Sequence, residues 1–162
     1  MQAWDVRSRE VAFLLNPAFC SRIIYSVIST YQNDTKRSMP FPLVYIILPL
    51  ILHEKTRKKI DSRTKFLNWI KRYPQLLIDF SARAKDLIQI TQEAIELLLL
   101  TNKIIISSSG ELEINNSNVG LSKTKFVDEE ISECLVKSEH VARWFATTGK
   151  VETIYISLGV RP

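Results

Sequence analysis

Glycine, cysteine and histidine are all scarce in this sequence. Four glycines and six prolines among 162 residues exclude collagen-like and low-complexity classes, which need far more of both. The two cysteines, Cys20 and Cys134, lie far apart, and neither has a second Cys or His at ligand spacing. They read as buried free thiols rather than as a metal or redox pair. The two histidines, His53 and His140, could bind a metal only with carboxylates that a fold would have to bring to them. No apolar run approaches the roughly 20 residues that span a bilayer. The opening Met1-Gln-Ala-Trp-Asp-Val-Arg7 lacks a basic segment followed by an apolar one, so a cytoplasmic chain away from membranes is expected. Ser-His-Asp and Cys-His signatures are missing, and no paired acids sit in an apolar context. Ser107-Ser-Ser-Gly110 lacks the spacing of a phosphate-binding loop. Neither an enzyme nor a cofactor is expected.

What is present is a core and a cation cluster, side by side. Hydrophobic residues make up 46% of the chain. The most apolar stretch, Phe41 to Leu52, is apolar on every side and therefore predicts a central buried helix, kinked at Pro49. The most basic stretch follows at once. Residues 53–72 hold eight basic and two acidic side chains, a local charge of +6 in a chain of +5, so the remainder is close to −1. One face is expected to be basic, with Lys55, Arg57, Lys58, Lys59, Arg63 and Lys65 as candidates for binding DNA or an acidic partner. A solvated helix face explains the same charges without any partner.

Periodicity orders the rest. Residues 5–15 can form a short helix. Asn16-Pro17 caps and opens the next, whose stripe is Phe19, Ile23, Ile24, Val27, Ile28 and Tyr31. Ser62 or Thr64 could cap a helix carrying Phe66, Leu67, Trp69 and Ile70. Pro74 to Thr101 reads as the longest helix. Residues 103–107 and 111–115, joined by Ser108-Ser-Gly110, are short strand candidates, the second alternating with a period of two, and predict a β-hairpin. Asp128 starts a helix with acidic first positions that Gly149 ends. Residues 151–156 alternate and predict a strand. The fold class is mainly α with a small hairpin wing and a C-terminal strand, winged-helix-like, in a single domain over 1–162. A division into a helical part (1–75) and a winged-helix-like part (76–162) is possible. Trp69, Arg143, Trp144 and Arg161 are candidate protein-interface residues, since Trp and Arg are enriched in hot spots. Core packing is the other reading for the tryptophans.

Four segments, in this order and at these distances, resemble one family. They are Asn16-Pro-Ala-Phe19, the Leu43–His53 segment with Leu48-Pro49-Leu50, Arg143-Trp-Phe145, and Gly159-Val-Arg-Pro162. Together they are similar to the middle component of bacterial three-component ABC systems, close to the small accessory subunit of Lamassu-type defence. The sequence departs from that pattern before Gly159, where a large aromatic would be expected. The resemblance implies a winged-helix-like fold. It also implies an SMC-like ABC ATPase subunit as one partner and an effector subunit, often a nuclease, as the other. DNA would be met through the complex. The chain would be a non-catalytic adaptor in anti-phage or anti-plasmid defence. A stand-alone winged-helix DNA-binding regulator is the competing reading, but the segment before the hairpin, Glu96 to Asn102, is too apolar for a major-groove helix.

Overall fold

The computed structural model describes residues 15–121 and 128–161. The helix expected at 5–15 therefore lies outside the described residues, apart from Leu15. Helix α1 spans Pro17–Thr35, and the Asn16 side chain caps it by accepting from the Ala18 N–H at 2.8 Å. Its expected stripe is buried except for the partly exposed Phe19. A 3-10 turn at Phe41–Leu43 leads into α2, Val44–Ile51, which keeps Pro49 inside it. Every α2 residue except Tyr45 is buried. Packing on all sides compensates for the backbone donor that proline removes.

Helix α3, Glu54–Lys59, follows directly, then a loop, then α4, Phe66–Arg72. No side chain caps α4; instead Asp61 Oδ1 accepts the N–H groups of Arg63 and Thr64. The long helix expected from Pro74 is three pieces: a 3-10 turn at Pro74–Leu77, α5 at Phe80–Asp86 and α6 at Ile88–Leu100. Asp79 and Leu87, at the breaks, take φ near −100° and ψ near 0°. Phe80, Ala84, Thr91 and Leu98 keep one buried stripe across the second break, so periodicity does not reveal it.

The hairpin forms as expected. Strands β1, Ile104–Ile106, and β2, Leu112–Ile114, pair antiparallel, and Gly110 takes φ +79° in the turn. Met39 adds a single bridge to Leu112 on the far side of β2. Helix α7, Glu129–Thr148, has Asp128 as its cap, accepting from Glu130 and Ile131, and ends at Gly149 with φ +82°.

The C-terminal strand is overturned. Residues Val151–Ser157 form a helix, α8, which buries Ile154, Tyr155 and Leu158 and exposes Glu152 and Ile156. Gly159, at φ +72°, terminates it, with the Val160 N–H reaching back to the Tyr155 carbonyl. The alternation of six residues at 151–156 is too short to outweigh the burial of Ile154, Tyr155 and Leu158 on one helical face. The mainly α class with a hairpin stands, without that strand. Helices α1, α6 and α7 pack around α2, and α1 also lies on β2. No helix among the described residues is long and apolar enough to cross a membrane.

Candidate interaction surface

The basic segment divides into one buried cation and a pinned, exposed loop. Arg57 is 1% exposed. Its Nη2 and Nε lie 2.9 and 3.0 Å from Glu130 and Glu133 on α7, and Nη1 donates to the Ile51 carbonyl at 2.9 Å. Burial works against its charge, but the hydrogen bonds and field of Glu133, with Glu130, outweigh it and raise the pKa. Arg57 therefore ties α3 to α7 and is not available to DNA or a partner, contrary to the surface reading from sequence. Glu130, Glu133 and Lys137 recur at three- and four-residue spacing on α7, the one sequence signal for this contact.

The other candidates, Lys55, Lys58, Lys59, Arg63 and Lys65, are exposed, as are Lys71 and Arg72. Lys58 pairs with Glu54 at 2.5 Å, and Lys59 lies 5.6 Å from the Tyr73 ring centroid. The backbone that carries them is held from beneath. Trp69 Nε1 donates to the Lys59 carbonyl at 2.9 Å and Trp144 Nε1 to the Thr64 carbonyl at 2.8 Å. Lys137 Nζ donates to the Ile60 carbonyl between them. Both indoles are buried, and their rings meet at 5.0 Å. In the chain alone, then, Trp69 and Trp144 are core residues that shape the basic loop, rather than exposed anchors.

Arg143 is half exposed, 3.9 Å from Asp34 and 3.8 Å from Glu139. Arg161 lies elsewhere. With Lys85 it lines a groove of about 580 Å³ floored by Tyr45, Ile46, Ala84 and Tyr155. The structure thus does not bring the interface candidates onto one surface. Tyr155 also donates its hydroxyl to the Pro42 carbonyl, and burial, with Tyr45 nearby, pushes its pKa to about 12.

The remaining polar chemistry is internal. His53 Nδ1 and the Thr56 hydroxyl are 2.7 Å apart, but Thr56 is fully buried and cannot reach a substrate. Among the described residues, no three His, Cys, Asp or Glu groups come together as metal ligands would. Helix α6, which precedes the hairpin, contains no Lys or Arg, so it offers no basic face to a major groove.

The family described as ABC-three component (ABC-3C) system Middle Component 3 matches residues 4–162. The chain belongs to this family. Neither a curated protein nor a solved structure matches it. This middle component thus has companion components, and its sequence resemblance led to the same family. Sequence reasoning missed the carboxylates of α7 and the groove between α2, α5 and α8. Both are made by residues that meet only in the fold.

Proposed function

We propose that this middle component is a non-catalytic adaptor joining an SMC-like ABC ATPase to an effector, a nuclease, in Lamassu-type defence against phages and plasmids. The observation that carries this reading is the pinned basic loop. Three side-chain donors fix the carbonyls of Lys59, Ile60 and Thr64, so the cations around them stand on a preformed surface. Preorganised charge of one sign gives register and speed of encounter with a partner of the opposite sign. DNA held by the ATPase supplies that charge, and so does an acidic surface of the ATPase itself. Helix α6 leading into the hairpin supports the winged-helix relation that belongs to this reading.

Co-expression with the ATPase and effector encoded beside it, followed by light scattering on the eluted complex, tests the adaptor role. A stable three-component assembly is expected, and separate migration of this chain would overturn it. The triple variant Lys55→Glu, Arg63→Glu, Lys65→Glu, which leaves Arg57 in place, tests the surface. If the cations meet DNA, each lost phosphate contact lowers the salt dependence of DNA binding by about one unit. If they meet protein, assembly is lost instead. Unchanged DNA affinity, assembly and protection would remove the basic loop from the proposal.

A further inference from the structure

The groove beside α5 is left unfilled by the fold. Ser81, Ala84 and Lys85 on α5 and Ile88 at the start of α6 line one wall. Their spacing of three, four and seven residues is that of a single helix face, and the face continues across the break at Leu87. Tyr45 of α2 and Tyr155 of α8 lie in the floor, and Gly159 to Arg161, just past α8, complete the lining. The volume, about 580 Å³, lies within the roughly 300–1,000 Å³ of pockets that take up a ligand.

Shape and charge both describe an occupant. Ser81, Ala84 and Gly159 are small, so the space between these elements is left for side chains from outside. A Cβ placed on Gly159 would meet nothing within 4 Å. Ile88, 40% exposed, turns apolar surface towards that space. Lys85 and Arg161 are exposed, and none of the described residues that line the groove is acidic. Among the described residues, neither cation is in an ion pair. A nucleic-acid backbone would meet the cations but leave the apolar floor uncovered. An apolar groove with unpaired cations instead complements a protein segment that is apolar on one side and acidic beside it.

We propose that this groove docks an acidic amphipathic segment of a companion component. Large apolar side chains of that segment fill the space over Ser81, Ala84 and Gly159, and its carboxylates meet Lys85 and Arg161. Apolar burial supplies the affinity, and the two cations fix orientation and register. Arg161 can hold a carboxylate through two parallel hydrogen bonds, which adds geometric selectivity. The adaptor thereby gains a second contact surface of a different chemistry, since the basic loop offers charge and the groove offers apolar contact framed by charge. The proposal rests on the adaptor reading in needing a companion component, and not on what the basic loop meets.

The test uses the full chain co-purified with its companion components. A carbodiimide joins an amine to a carboxylate only where the two touch. It should couple Lys85 Nζ to an Asp or Glu of a companion, with large apolar residues near it in sequence, and mass spectrometry identifies the pair. This cross-link is read on the unchanged chain and so does not depend on how a variant folds. Ser81→Trp, which fills the groove, should abolish the cross-link and weaken assembly more than tenfold. Lys85→Glu combined with Arg161→Glu should weaken assembly similarly, and more at low salt than at high salt. None of the three positions is buried, so the circular dichroism spectrum and urea midpoint should stay unchanged. Replacing the identified acid by Lys should restore binding to the Lys85→Glu chain. An assembly that all these variants leave at full affinity overturns the proposal, as does a Lys85 that couples to no companion, and in both cases the adaptor reading stands. Absence of any assembly overturns both. A dimer of this chain alone that Ser81→Trp dissociates gives the groove to a second copy and also overturns the proposal.

Discussion

Arg57 shows how little a side chain's charge says about where it lies. It is one of six cations singled out in the basic stretch, and the one that the fold buries. A buried guanidinium is tolerated only when carboxylates and carbonyls meet its donors, and here Glu130, Glu133 and Ile51 do so. Replacing it by Met is expected to cost about 2 kcal/mol in urea unfolding. That is below the roughly 3–5 kcal/mol of a fully buried broken pair, because Glu130 and Glu133 are 48% and 32% exposed and rehydrate. Lys59→Met, one turn edge away on the exposed side, should change stability by less than about 0.5 kcal/mol. The cysteines make a second prediction at this scale. Burial, helped by Cys134 and Glu93, pushes the Cys20 thiol to about 12, and burial pushes Cys134 to about 11 although Arg57 opposes it. Neither forms thiolate at neutral pH. A thiol-reactive disulfide reagent should therefore label the native chain only at the rate at which it opens, and label both thiols promptly in urea.

At the scale of elements, the loop between α3 and α4 depends on α7. Trp144 and Lys137 reach across from that helix to the Thr64 and Ile60 carbonyls, while Trp69 holds Lys59 from α4. Trp144→Phe keeps most of the buried ring and removes one donor. The expected cost is about 1 kcal/mol, with faster deuterium exchange confined to residues 59–65. Exchange that rises instead throughout α7 would mean that the indole serves packing and not the loop. Element boundaries depended on their local signals. Asn16-Pro17, Asp128 and Gly149 mark helix ends where expected, since caps are local chemistry. The breaks at Asp79 and Leu87 carry no such mark: Asp79 stands at the N-cap position but its side chain makes no capping hydrogen bond, and Leu87 is not a capping residue. Alternation at residues 151–156 pointed to a strand, yet Ile154, Tyr155 and Leu158 face the core together only from a helix.

For the whole molecule, stability is expected to fall in mild acid. Burial lowers the pKa of His140 below the ordinary 6.5, with Lys137 and Arg143 adding to it and Glu139 and Asp61 opposing. Burial lowers His53 likewise, with Arg83, Lys55 and Arg57 adding and Asp79 opposing. The folded state thus prefers both rings neutral, and the unfolded state binds protons first. Their contribution is complete above about pH 6.5 and is lost as the pH falls through the lowered folded values. The urea midpoint should drop between pH about 7.5 and about 5, and His140→Gln should remove part of that slope. Glu54 and Asp61, whose carboxyls titrate below their ordinary values, do not contribute in this window.

The sequence by itself determined the helical class, the hairpin, the buried α2 with its proline, and the concentration of positive charge in residues 53–72. Each follows from periodicity, capping or composition, which act over a few residues. Tertiary structure alone decided which cation is buried, that two tryptophans hold a loop, and that the last segment is helical. Those outcomes depend on what stands opposite a residue in space. Arg57 and Glu133 are 76 positions apart, and Trp144 and Thr64 are 80 apart. No local pattern carries a contact over that distance, because it is formed only once the helices have packed.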